Sequence, residues 1–271
     1  MADQRFAMRL LVSVANAAET SAALAGGADV IDAKNPLAGA LGAVSADALR
    51  EIHATVAGAC LVTAAIGDAA DETEVERAAG TFAAAGAALV KVGFAGITSA
   101  SRVEMLIRAA VRGVRACNVT WGPPSAGPIG LKPNLTGVVA VAYADAGRVA
   151  SLHAGAFVDV AARAGATGVL LDTADKSGPG LRGLLTPIAL ARWVAEAHHA
   201  GLLVALAGKL TADDLPFVRD AGADIAGVRG AACEGGRTGR VSSDKVAQLR
   251  KLCGPAKAGH YVPNHVSSMR L

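Results

Sequence analysis

Short apolar runs recur along the chain behind small-residue turns. Gly26–Asn35 reads GGADVIDAKN, Ala85–Gly93 reads AGAALVKVG, Ala164–Thr173 reads AGATGVLLDT and Ala221–Gly230 reads AGADIAGVRG. Each phrase is a Gly-containing turn, a continuous apolar run and then a polar residue. A helix-like stretch such as Ala17–Ala25 precedes each one. Glycine just past a helix can take the left-handed conformation that stops it. An apolar run with no polar alternation fits a parallel strand covered on both faces. Leu10–Val14 (LLVSV), Ala59–Ala64 (ACLVTA), Val138–Tyr143 (VVAVAY) and Leu202–Ala207 (LLVALA) have the same character. The pattern predicts eight strands, near residues 10, 29, 60, 88, 138, 168, 202 and 224, alternating with helices. That count and order predict an α/β fold, a single-domain (β/α)8 TIM barrel over residues 8–253. An open doubly wound sheet would prefer a G-x-G-x-x-G turn after its first strand, and Val14–Glu19 (VANAAE) has none.

Two segments break the repeat. Trp121–Gly137 carries four prolines and precedes the fifth strand. It reads as a long irregular loop on the N-terminal face of the barrel. Residues 254–271 read as a C-terminal extension without chemistry.

Composition narrows the classes. The 271 residues include 63 alanines and 32 glycines, with 3% aromatics, which suits helices laid closely on a sheet. A hydrophobic fraction of 52% excludes a disordered chain. A net charge of +3 is too small to imply nucleic acid. The four cysteines form no C-x-x-C pair and no H-E-x-x-H occurs, so neither a disulfide framework nor a metal site is expected. Residues 1–10 lack the apolar core of a signal peptide. The apolar stretch Ala83–Val90 stops at Lys91, far short of the roughly 20 residues of a membrane span. A cytoplasmic chain with no membrane partner is expected.

Lysine placement points to chemistry. The chain has only eight lysines against eighteen arginines. Four of the eight fall at or just after expected strand ends: Lys34, Lys91, Lys176 and Lys209. Barrel active sites lie at those ends. Strand alternation puts Asp32 and Lys34 on one face of the second strand, with Lys91 on the matching face of the fourth. Asp172 takes that face in the sixth strand, with Lys176 four residues on. Amines crowded into a low-dielectric mouth disfavour protonation of the most buried one. At an unperturbed pKa near 10.4 only about one lysine in 2,500 is neutral at pH 7, whereas at a pKa near 7 half are. The pattern predicts a lysine Schiff base with a carbonyl substrate, and an aspartate or second lysine to move protons. Loops after strands seven and eight commonly bind phosphate in this fold. Gly208, Lys209, Arg229 and Gly230 are the candidates there, with Arg237 next, and Asp32 is a further candidate for substrate contact.

The chain also resembles a known family. LLVSVANAAETSAALAGGADVIDAKNP with GALGA at Gly39–Ala43, then ALVKVG, YADA and GVLLDTADKSG, match the (5-formylfuran-3-yl)methyl phosphate synthases in order. These enzymes are also called 4-(hydroxymethyl)-2-furancarboxaldehyde-phosphate synthases, of methanofuran biosynthesis. The resemblance spans roughly residues 8 to 240. It implies a cofactor-free lyase of the carbon–oxygen type acting on phosphates. Two glyceraldehyde 3-phosphate molecules condense with loss of phosphate and water. It also implies that Lys34 forms the Schiff base and that Lys91 accepts a proton. Asp172 and Lys176 would assist proton transfer and phosphate elimination. Val14 and Ser177 depart from the family, where proline and an acidic residue are expected. A phosphorylated triose substrate and a homo-oligomer are expected. The competing readings are another Schiff-base aldolase, a phosphosugar isomerase, or a non-catalytic barrel that senses a phosphorylated metabolite.

Overall fold

The computed structural model describes residues 7–117 and 135–254. Most of the proline-rich segment and nearly all of the C-terminal extension lie outside the described residues. The strands are β1 (Arg9–Val14), β2 (Val30–Ala33), β3 (Leu61–Asp68), β4 (Leu89–Gly93), β5 (Gly137–Tyr143), β6 (Gly168–Asp172), β7 (Leu203–Leu206) and β8 (Ile225–Val228). All run parallel in chain order, and β8 pairs back onto β1 to close the barrel. The expected (β/α)8 architecture is the one observed.

Helices α1 (Ala17–Ala25), α2 (Ala46–Val56), α3 (Glu72–Ala84), α4 (Ala100–Ala116) and α5 (Ala154–Arg163) cover the first five crossovers. The short α6 (Leu181–Leu184) and then α7 (Pro187–His199) follow β6, α8 (Leu215–Asp220) follows β7, and α9 (Ser243–Leu252) ends the barrel. The local sequence fixes where these helices begin. Ser45, Asp71, Ser99 and Thr186 accept backbone N–H groups in the first turns of α2, α3, α4 and α7. Their ends match the turn phrases: Gly27, Gly86, Gly165 and Gly222 all have positive φ. No helix among the described residues is long and apolar enough to cross a membrane.

Two apolar layers hold the fold. Leu11, Val30, Leu89, Val139, Val141, Leu170, Ala205 and Ile225 fill the barrel interior. The alternate strand residues meet the helices in a larger outer core. Small residues let that shell close. A Cβ on Gly113 of α4 would sit 2.0 Å from the Glu76 carbonyl oxygen of α3, so the two helix backbones touch there.

The third strand differs from the sequence expectation. It runs on to Asp68 instead of stopping at Ala64. Gly67, at φ 91°, permits an irregularity after Ala65. Asp68 is then held by the Tyr143 hydroxyl at 2.6 Å and by the Ala95 N–H at 2.9 Å. Gly93 leaves room for this crossing, since a Cβ there would fall 2.4 Å from the Tyr143 oxygen.

Candidate active site

The strand alternation that fills the interior also builds its mouth. One step above Val30 on the same face stands Asp32, above Leu89 stands Lys91, and above Leu170 stands Asp172. Lys34 follows the end of β2, its N–H continuing the ladder to the Val14 carbonyl at 2.9 Å. Lys176 follows β6 by one loop turn. These side chains converge on a cavity of about 270 Å³ at the C-terminal end of the barrel. Six cations line it (Lys34, Lys91, Lys176, Lys209, Arg229 and Arg237) against the carboxylates Asp32 and Asp172.

The cations are partnered unequally. Lys91 Nζ lies 2.5 Å from Asp32 Oδ1, with both groups buried. Asp32 also accepts the Ser13 and Thr63 hydroxyls, each at 2.8 Å. Lys176 Nζ donates to Asp172 Oδ1 at 2.8 Å and to the Thr173 carbonyl at 2.5 Å. Asp172 Oδ1 takes the Thr173 N–H as well, at 2.7 Å. Burial pushes the Asp172 pKa up, but Lys176, Lys34 and these hydrogen bonds outweigh it and hold the carboxyl below its usual value. Lys34 is different. Its one ion pair among the described residues is a loose 3.9 Å contact with Asp172 Oδ2. Burial lowers its pKa to about 8; Asp172 and Asp32 oppose that shift, while Lys91 and Lys176 add to it. Lys34 is thus a buried amine whose lone pair is freed more readily than that of an ordinary lysine.

One sequence expectation changes here. Arg229 was expected to grip substrate phosphate. Its Nη1 and Nη2 instead fork onto both Glu19 oxygens, at 2.5 and 3.0 Å. Its other donors reach the carbonyls of Ser13, Arg237 and Gly239. All five N–H groups are engaged, so none remains for an anion. Asp32 lines the cavity too, and its contacts to Ser13, Thr63 and Lys91 make it the fixed partner of Lys91. Gly208, Lys209 and Gly230 line the cavity as expected. Lys209 Nζ donates to the Gly178 carbonyl, bridging the loops after β6 and β7.

The sequence reading missed Asp145. Its carboxylate is buried just past β5 and accepts the N–H groups of Ala174 and Asp175, each at 2.8 Å. It thereby shapes the loop that carries Lys176. The signal was present, since Asp145 follows the apolar run of β5 as Asp32 and Asp172 sit in theirs. The partners Glu19, Ser13 and Thr63 gave no comparable signal.

A family model described as 4-HFC-P synthase matches residues 10–250. The chain belongs to the 4-HFC-P synthase family. It is 36% identical to a (5-formylfuran-3-yl)methyl phosphate synthase of Methanocaldococcus jannaschii, over 91% of this chain and 100% of the relative. It is 41% identical to the enzyme of that name from Methanopyrus kandleri, over 89% and 97%. Among solved structures, KGPDC from Streptococcus mutans in complex with D-R5P superposes with a TM-score of 0.61 at 15% identity, covering 91% of this chain and 97% of that one. A 3-hexulose-6-phosphate synthase gives 0.56 at 22% identity, covering 90% and 99%. At these identities the likeness shows the barrel fold alone. The residues at the mouth of this 4-HFC-P synthase family member, Lys34, Lys91, Asp172 and Lys176, lie inside the matched span.

Proposed function

We propose that this barrel condenses two glyceraldehyde 3-phosphate molecules into 4-(hydroxymethyl)-2-furancarboxaldehyde phosphate, for methanofuran-type cofactor synthesis. The observation that carries this reading is the unequal pairing of the mouth lysines: Lys34 has only a loose carboxylate contact, and burial lowers its pKa to about 8. One triose, as its ketone isomer, is attacked at the carbonyl carbon by Lys34 Nζ. Loss of water gives an iminium, which acidifies the adjacent C–H. Lys91, made neutral by passing its own proton to Asp32, takes that proton and leaves an enamine. That enamine, pushed by the hydroxyl it carries, expels the phosphate from its other terminal carbon; this carbon then adds to the ketone carbon of the second triose, also as its ketone isomer, which gives the branched skeleton of the product. Lys176, held by Asp172, stands by the departing phosphate ester oxygen and offsets its charge. Ring closure and hydrolysis from Lys34 release the furan. From two trioses to one furan aldehyde phosphate, the balance removes one phosphate and two waters, with no change of oxidation state overall. The reaction is a carbon–oxygen lyase step that needs no cofactor. The excess of cations at the mouth supports a doubly phosphorylated pair of substrates. Gly208, Lys209 and Gly230 cradle the phosphate that is retained.

The test is incubation with glyceraldehyde 3-phosphate. A furan chromophore in the ultraviolet with equimolar free phosphate is the expected result. A sugar phosphate without phosphate release would instead mark an ordinary aldolase or isomerase. No product, and no borohydride-trapped adduct, would mark a sensing barrel.

A further inference from the structure

Of the two arginines at the mouth, Arg237 is the one with donors to spare among the described residues. Lys91 and Lys176 are paired with carboxylates. Arg229 is used up on Glu19 and three carbonyls. Arg237 is half-buried at the cavity and has no carboxylate partner among the described residues. Its two terminal nitrogens each donate one hydrogen bond, to the carbonyls of Pro36 and Gly39. Those carbonyls belong to the loop that directly follows Lys34. Two of five N–H groups are in use, so three remain unengaged among the described residues. A planar fork with free donors, facing a cavity that is short of negative charge, is suited to a phosphate oxygen pair.

The arm that carries Arg237 is built to hold it there. Strands β9 (Cys233–Glu234) and β10 (Arg240–Val241) pair antiparallel, and Arg237 sits at the tip between them. Gly235 and Gly236 turn the tip with positive φ. Gly239 closes it, since a Cβ there would lie 1.7 Å from the Glu234 carbonyl oxygen. Arg229 ties the base of this arm to α1 through Glu19, and ties the tip through the Arg237 carbonyl at 3.0 Å. The position of the guanidinium is therefore set by the β8 side of the barrel, while its hydrogen bonds act on the β2 side.

We propose that Arg237 binds a substrate phosphate through its unengaged N–H groups while strapping the loop after Lys34, so that phosphate occupancy and the placement of Lys34 are coupled. This rests on the reading that the substrates are triose phosphates, and it names the residue that would sense their charge. Arg229 in this scheme is a positioning residue that acts only through the arm.

Two measurements test it on the full chain, with inorganic phosphate as the probe. Calorimetric titration should show phosphate binding that weakens about 10- to 100-fold in Arg237→Gln, the range for a lost charged hydrogen bond. Arg237→Lys should recover only part of it, because an ammonium cannot hold the loop and the anion as a fork does. In the unsubstituted protein, phosphate should slow hydrogen exchange of the amides of residues 37–42, a readout that needs no variant. Unchanged phosphate affinity in Arg237→Gln, or no protection of that loop by phosphate, would overturn the proposal. Its failure is distinct from that of the reaction: furan formation with unchanged phosphate affinity in Arg237→Gln removes only the strap. Phosphate-dependent loop protection without furan removes only the reaction.

Discussion

The two ends of this barrel use the same residue types to opposite effect. At the N-terminal end, Asp29 accepts the Leu10 N–H at 2.8 Å and pairs with Arg250 at 2.9 Å. Asp224 likewise accepts the Val204 N–H at 2.7 Å and pairs with His198 at 2.9 Å. Each carboxylate there pins a strand start and meets a counter-charge. At the C-terminal end, two carboxylates face six cations, and Lys34 is held by burial more than by any partner. A matched pair in a half-exposed site is structure and little else. A buried charge left nearly unmatched is costly, and persists where its altered proton affinity is used.

The strongest way to break this comparison is to remove the unmatched amine's chemistry and keep its charge. Lys34→Arg should abolish furan formation and borohydride trapping, because guanidinium does not deprotonate at neutral pH. Mass spectrometry of the trapped peptide checks the position; labelling of Lys91 or Lys176 with Lys34 untouched would move the covalent role. Next in size, Lys91→Met should lower turnover by about 10²–10⁴-fold, the range for a lost acid or base. It also strands Asp32, so melting should shift too. The double variant Lys91→Met with Asp32→Asn should recover stability without recovering turnover. Normal turnover in Lys91→Met would leave Lys91 an electrostatic neighbour only.

Arg229→Ala should act mainly on folding. Stranding buried Glu19 and three carbonyls costs about 3–5 kcal/mol, read by denaturant titration. A variant that melts like the parent but needs far more substrate would return Arg229 to the phosphate site. The smallest effect separates the two ends by sign. A lysine at about 8 when folded and 10.5 when unfolded binds fewer protons in the folded state between those values. Stability therefore rises with pH across that window, and Lys34→Met removes the slope. At pH 7 that variant should be more stable by on the order of 3 kcal/mol, at ~1.36 per pKa unit, with the gain closing as pH climbs from 8 to 10.5. His198 runs the other way, because its hydrogen bond to Asp224 raises its pKa despite burial. Its contribution is present below 6.5 and fades as pH rises through the folded value. A parallel pH dependence at both ends would undo the distinction.

What was legible in the sequence was local. Alternation along a strand fixes which residues share a face, so Asp32 with Lys34, and Leu170 with Asp172, could be placed before any coordinates. The rarity of lysine made Lys34, Lys91 and Lys176 visible. Partner choice was not legible, because it is set by closure of the barrel. Arg229 meets a glutamate 210 residues away, and Arg237 meets carbonyls 201 and 198 residues away. Nothing near either arginine distinguishes a guanidinium held by a helix start from one with donors to spare. The end of β3 was hidden for a related reason: Ile66–Gly67–Asp68 reads as a turn until Tyr143 from β5 reaches across Gly93 to hold it.

An alanine- and glycine-rich chain invites the view that its small residues are interchangeable filler. The crossing of α3 and α4 argues otherwise. With 2.0 Å between a Cβ at position 113 and the Glu76 oxygen, even one methyl group is forbidden without parting the helices. Emptiness at that point is a specification as strict as any side chain at the mouth. A mutational map of this protein would therefore show two kinds of intolerant position, those whose atoms react and those whose missing atoms let two helices act as one slab.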